Sequence, residues 1–182
     1  MLEQRYSTGE IDLFFGDEVQ ISEQGNVPYG WQFKDENISI KTAKGKKLNC
    51  FGMITRNNDF VFETTYEMID SNFIIEHINN FSKTITKHTV IVLDNAKVHQ
   101  SKLFKQMKEV WAKKQLFIFY LPPYSPQLNI VERVWKELKE RWISVDDYLT
   151  TDTLFYKTKM ILNEIGKSLK LNFKKYYPFN FE

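Results

Sequence analysis

Apolar residues along the chain fall into two kinds of run, and the switches between them predict the order of the elements. Residues 11–21 (IDLFFGDEVQI) are apolar and aromatic around a glycine, the composition of a buried strand rather than of so short a helix. Residues 48–55 (LNCFGMIT) and 60–65 (FVFETT) share that character, and the turn cluster Arg56-Asn57-Asn58-Asp59 between them predicts a hairpin. Across residues 69–81 the spacing becomes helical, with Met68, Ile69, Phe73, Ile74 and Ile78 on one side and Asp70 or Ser71 placed to cap it. Val90-Ile91-Val92-Leu93 is wholly apolar and ends in Asp94, as expected of a strand covered on both faces. A helix over about 99–113 follows, with Leu103, Phe104, Met107, Val110 and Trp111 on one side, and then the strand Leu116 to Tyr120.

Pro122, Pro123 and Pro126 stiffen the next loop, because proline fixes φ and biases the preceding residue to extended conformations. Helix resumes with Asn129 as the expected N-cap and Ile130, Val131, Val134, Trp135, Leu138 and Trp142 as its apolar stripe. Leu154, Ile161, Leu162, Ile165 and Leu169 predict a last amphipathic helix from about residue 151, followed by an aromatic and basic tail. The order βββαβαβα implies an α/β fold, a mixed central sheet flanked by helices. With no internal repeat and no Pro/Gly/Ser-rich linker, residues 1–182 are expected to form a single domain.

Composition narrows the class. A chain of 182 residues buries roughly 70% of its unfolded surface, and 42% hydrophobic with 15% aromatic residues supplies a core and excludes intrinsic disorder. The lone Cys50 excludes an intramolecular disulfide framework and a cysteine-based zinc site, and fits a reducing compartment. No apolar run approaches the roughly 18 residues of a membrane span, and the start MLEQR lacks a secretory hydrophobic region, so a soluble intracellular protein is expected. The net charge of +2 conceals a split: residues 1–96 hold 9 basic and 14 acidic residues, a net of −5, whereas residues 97–182 hold 16 and 9, a net of +7.

An acid within or at the end of an apolar strand is costly unless paired, protonated or metal-bound. Asp17 and Asp94 occupy such positions, and Asp94 sits just past a strand's carboxyl end, where open α/β sheets place ligands. Asp12 and Glu18 compete with Asp17, although strand alternation turns Glu18 to the opposite face. Each acid also has a purely structural reading. Asp94-Asn95 suits a loop-capping turn, and Glu132 fits both a capping-box-like arrangement with Asn129 and an i, i+4 pair with Lys136. Three carboxylates converging from the first strand, the fourth strand and a helix start would repel unless hard divalent cations relieved them. Mg²⁺ or Mn²⁺ is the implied cofactor, and a pair of ions would suit phosphoryl transfer.

The segment from Val90 to Ser101 (VIVLDNAKVHQS) and that from Leu121 to Lys139 (LPPYSPQLNIVERVWKELK) resemble the DDE transposases of the mariner superfamily, and among them the bacterial insertion sequence 630 family. The 37 residues between Asp94 and Glu132 match its spacing, and the likeness runs from about Phe15 to Trp142, more weakly at Phe15-Gly16-Asp17-Glu18 and Gly30-Trp31. The resemblance implies an RNase H-like fold and cut-and-paste DNA chemistry, with Asp17, Asp94 and Glu132 as catalytic metal ligands for two ions. It further implies double-stranded DNA as partner, a homodimer or larger synaptic complex, and a bacterial, cytoplasmic, nucleoid-associated setting. The helix-turn-helix segments that precede this domain in the family have no counterpart here, so the expectation is of a catalytic domain alone.

His99 matches the family's histidine after the second acid, where it would orient a catalytic group, touch phosphate or serve structure only. Asn95 and Asn129 are candidate hydrogen-bond partners of the acids, and turn and cap duties explain them equally. Tyr124 is a candidate DNA contact in the proline loop. The apolar stripe of the Glu132 helix centres about 120° away from Glu132, at about 100° per residue, so Glu132 reaches any site from the open first turn. Lys136 and Lys139 share its polar face, as a solvated face or as phosphate contacts. The tail from Asn172 to Glu182 reads as a packed or fraying end, a DNA-stacking strip or a docking strip for a second protomer. The competing functional classes are a related nuclease that cuts without transposing and an inactive relict that binds DNA or partners.

Overall fold

A computed structural model describes residues 2–22, 34 and 46–173; the Gly30-Trp31 pair and tail residues 174–182 lie outside the described residues. Its five strands are β1 (Asp12–Ser22), β2 (Lys47–Ile54), β3 (Phe60–Thr65), β4 (Thr89–Leu93) and β5 (Leu116–Tyr120), in the sheet order β3-β2-β1-β4-β5. β1, β2 and β3 pair antiparallel, whereas β4 runs parallel to both β1 and β5. The helices are α1 (Leu2–Ser7), α2 (Ser71–Phe81), α3 (Lys102–Ala112), α4 (Val131–Glu137) and α5 (Thr151–Glu164).

Alternation along β1 divides the molecule into three layers. Phe14 faces α2 and α3 in a cluster with Phe51, Ile91, Leu93 and Trp111. Val19 and Ile21 face α4 and α5 in a cluster with Cys50, Trp135, Leu138 and Leu162. Leu13 and Phe15, on that second face, are covered by Leu2 and Tyr6 of α1. β4 is buried at all five positions, as its unbroken apolar run predicts. The order of strands and helices from β1 onward, the mixed sheet and the hairpin agree with the sequence reading; α1 was not foreseen, because six residues are too few to display a helical period.

Three predicted helices differ in detail. The helix expected over 99–113 is broken in two: Lys97–Gln100 forms a tight 3₁₀ turn, then Ser101, extended at φ −60° and ψ 155°, caps α3 by accepting from the Phe104 amide at 3.1 Å. His99 therefore sits in the turn and not on α3. The stripe from Ile130 to Trp142 is not one regular helix either. α4 ends at Glu137 and passes into a wide π turn, Leu138–Trp142, closed by the Ile143 amide on the Leu138 carbonyl at 3.0 Å, so that Leu138 and Ile143 are both buried. α5 stops at Glu164, before Leu169, because Gly166 takes a left-handed φ of 85° and ends the helical run.

That left-handed glycine belongs to a clasp. Asn58, at φ 69° in the β2–β3 turn, donates from Nδ2 to the Leu171 carbonyl at 3.0 Å and accepts from the Leu171 amide at 2.6 Å. A Cβ on Gly166 would collide with the Asn58 carbonyl oxygen. Among the described residues no helix is long and apolar enough to cross a membrane.

Gly52 sets how closely α4 can approach the sheet. It pairs with Asp17 across β1–β2, and a Cβ there would lie 2.6 Å from the Trp135 ring and 3.0 Å from Phe60. Gly52→Ala is expected to cost about 1–3 kcal/mol of unfolding free energy, the usual range for overpacking, measured by denaturant titration. A second expectation concerns His77, which packs edge-on against Phe51 and has a buried Nε2 without a partner. Burial holds its pKa below the ordinary 6.5, outweighing the opposing effect of Glu63. The unfolded chain therefore takes up this proton first, and stability falls as pH drops below 6.5. Thermal melts between pH 5 and 7.5 should show that loss, and His77→Gln should reduce it.

Candidate active site

β1 carries Asp17 toward the α4 side of the sheet, in alternation with Phe15 and Val19, beside Gly52 on β2. Asp94 follows the last residue of β4 and is half exposed. Its Oδ1 accepts from the Ala96 amide at 2.9 Å, as the turn-capping reading expects, and also lies 3.0 Å from His99 Nδ1. Asn95, itself exposed, donates from Nδ2 to the Leu121 carbonyl, tying the end of β4 to the chain leaving β5. Glu132 lies exposed in the first turn of α4.

Asn129 does not cap α4. Ile130 precedes the helix with no side-chain cap, and the Glu132 amide bonds the Asn129 backbone carbonyl at 3.2 Å, so the capping box expected from the sequence is absent. The proline-stiffened turn Pro126–Leu128 instead swings Asn129 inward, where its buried Nδ2 donates to the Gly16 carbonyl at 3.1 Å. The start of α4 is thereby bonded to the residue beside Asp17. Lys136 pairs loosely with Glu140 at 4.0 Å rather than with Glu132. Neither Lys136 nor Lys139 lines the space between the acids.

That space is a cleft of about 400 Å³ whose walls include Asp17, Asp94, Asn95, Asn129 and Glu132, with the Pro122-to-Pro126 loop as one side. Tyr124, fully exposed and at a left-handed φ of 56°, stands on that loop. Among the described residues no lysine or arginine lines the cleft. Burial, followed by the charges of Glu18 and Glu132, pushes the Asp17 carboxyl up to about 9. A group of carboxylates this poorly compensated favours protons or cations, and its all-oxygen donor set suits a hard divalent ion. Among the described residues no three His, Cys, Asp or Glu side chains are close enough to form one ion's ligand set; the acids share a cleft, not a finished cage.

Behind the cleft, on the α2/α3 face, is a contact that the sequence reading missed. His99 is fully buried, with Phe51 and Phe104 against its ring and its carbonyl accepting from the Tyr120 hydroxyl at 2.8 Å. Its Nε2 lies 3.2 Å from Glu18 Oε1, an ion-pair contact too oblique to count as a well-aligned hydrogen bond. Burial alone would lower its pKa, but the contacts to Asp94 and Glu18 outweigh burial and raise it to about 9. The same contact with His99 leads the causes that hold Asp94 below the usual carboxylate range. Alternation already turned Glu18 to the core side; the available signal was that an acid there needs a buried basic partner.

Comparison with known proteins adds independent findings. Residues 12–154 match the family model described as DDE superfamily endonuclease. Over 138 residues the chain is 24% identical to the insertion element IS630 uncharacterized 39 kDa protein of Shigella sonnei, covering 73% of this chain and 39% of that one. Across the curated relatives that it matches, the chain spans about half of their length or less. Its fold is similar to the Mos1 mariner paired-end complex with Mn (TM-score 0.56, 13% identity, 92% of this chain and 56% of that one). It is also similar to the catalytic core domain of BIV integrase (TM-score 0.55, 14% identity, 87% and 86%). The sheet and its flanking helices are thus RNase H-like, as the sequence reading expected.

The Asn129 bond makes a testable demand. Asn129→Ala removes a buried donor and strands the Gly16 carbonyl, so unfolding free energy should fall by about 1–3 kcal/mol. Calorimetry or denaturant titration measures this directly.

Proposed function

The chain belongs to the DDE superfamily endonucleases, and from that premise we propose that this domain cleaves and joins DNA as the catalytic part of a transposase. The observation that carries the reading is the meeting of Asp17, Asp94 and Glu132, from β1, the end of β4 and the first turn of α4, in one cleft that no lysine or arginine among the described residues lines. In this reading the three carboxylates hold Mg²⁺ or Mn²⁺, two ions in the working complex, and double-stranded DNA lies across the cleft mouth.

When bound, the ions would supply Lewis-acid stabilisation of the charge that builds on the phosphate oxygens. The residues of the chain do the rest. Asp17, half-buried in the strand, and Asp94, anchored through Oδ1, fix two sides of the cleft, while Glu132 enters from a helix held to β1 by Asn129. The proline loop forms the wall along which a strand would lie, with Tyr124 presented to it. Water attacks the phosphodiester in line and releases a 3′-hydroxyl, which attacks a phosphodiester of the target strand in a second in-line step. Neither step requires a covalent bond to the protein.

The basic second half of the chain, including Lys136 and Lys139, would contact backbone phosphates and make binding salt-dependent. Assembly on paired DNA ends as a homodimer or larger complex belongs to the same proposal.

The test uses purified protein with labelled DNA carrying element ends. Metal-dependent cleavage and a joined product are expected, and Asp94→Asn should reduce both to background. Equal activity in the two proteins refutes the assignment, and cleavage without any joined product points to a nuclease that does not transpose.

A further inference from the structure

Glu18 alternates to the opposite face of β1 from Asp17 and does not line the cleft, although its charge acts on the Asp17 carboxyl. It nevertheless completes a continuous chain to the cleft: Glu18 Oε1 to His99 Nε2 at 3.2 Å, and His99 Nδ1 to Asp94 Oδ1 at 3.0 Å. Resting on the functional reading above, we propose that Glu18 is a positioning residue that acts through His99 to fix the Asp94 carboxylate for metal binding.

Three observations carry this. The His99 ring has no solvent exposure and is held between Phe51 and Phe104, while the Tyr120 hydroxyl fixes its backbone, so the ring has a defined place. Asp94 Oδ1 is engaged twice, by His99 and by the Ala96 amide, whereas Oδ2 has no hydrogen-bond partner among the described residues. One oxygen anchors the carboxylate and the other is left for the cation. Glu18 supplies the only contact to the far ring nitrogen among the described residues, and without it that nitrogen is a buried orphan. The ring can then satisfy Nε2 only by turning, which releases Oδ1. Hydrogen-bonded partners behind a ligand typically change metal affinity or activity by about 10–100-fold when removed.

The experiment measures Mn²⁺ affinity by electron paramagnetic resonance titration of the full chain without DNA. The variants are Glu18→Leu, which fills the space but cannot accept a hydrogen bond, Glu18→Gln, which keeps an acceptor, His99→Asn and Asp94→Asn, each checked for a folded melting transition. Glu18→Leu is expected to weaken Mn²⁺ binding about 10-fold or more, and Glu18→Gln to recover most of it. Combining Glu18→Leu with His99→Asn should cost no more than His99→Asn alone, because the two act in series. Wild-type affinity in Glu18→Leu, or losses that add as independent effects, overturns the proposal. If Glu18→Leu fails to fold, wild-type affinity in His99→Asn overturns it equally. Wild-type affinity in Asp94→Asn instead refutes the metal reading on which the proposal rests, so the two failures are distinguishable.

Discussion

Like charges resist being gathered, and the arrangement around the cleft is organised against that resistance. Asp17, Asp94 and Glu132 border one small volume with no basic side chain among the described residues in its lining. Each is secured by backbone or by buried polar contacts: Asp17 by strand pairing, Asp94 by the Ala96 amide and His99, and the Glu132 helix by Asn129 on the Gly16 carbonyl. The electrostatic cost appears where the acid is most enclosed, in the Asp17 carboxyl's shift to about 9. The nearest positive partner, His99, lies on the far side of the sheet layer, so it steadies the acids without occupying the space between them.

The fold was readable wherever one physical signal dominated. β4 is apolar at four successive positions and is covered on both faces; the β2–β3 turn is a run of turn residues; α2 has both its period and its Asp70 cap, which accepts from the Phe73 amide. Where two signals overlapped, the sequence was ambiguous. Asn129 has the chemistry of a helix cap and sits where a cap belongs, yet the turn from Pro126 directs it inward. The stripe from Ile130 to Trp142 keeps a helical period through Trp135, and the wide turn that follows depends on packing against a sheet distant in sequence. The break at Ser101 is of the same kind, because a serine inside a helical pattern is equally compatible with an interior position or a cap.

The site was readable to a different depth. Acids interrupting apolar runs marked Asp17 and Asp94, and the segment around Glu132 marked the third, so all three cleft acids were named from sequence. His99, Asn95 and Asn129 were named as supporting candidates, but the atoms they meet were not, since each contact depends on tertiary distance. Glu18 and His99 are separated by 81 positions and by three intervening strands in the chain, and only the parity of β1 hinted that Glu18 faces inward. The lysines next to Glu132 looked like site neighbours on a helical wheel, yet neither lines the cleft, whose wall on one side is the proline loop.

The clasp between Asn58 and Leu171 also has a consequence in time. Asn58 is buried in a turn formed from the first third of the chain, but its amide is satisfied only by backbone 113 residues further on. During synthesis the β2–β3 hairpin leaves the ribosome with that amide still bonded to water, and it can be sealed only once residue 171 has emerged. The hairpin and the residues after α5 therefore consolidate as one late event. A ribosome stalled before residue 171 has emerged would hold a chain in which this turn remains open.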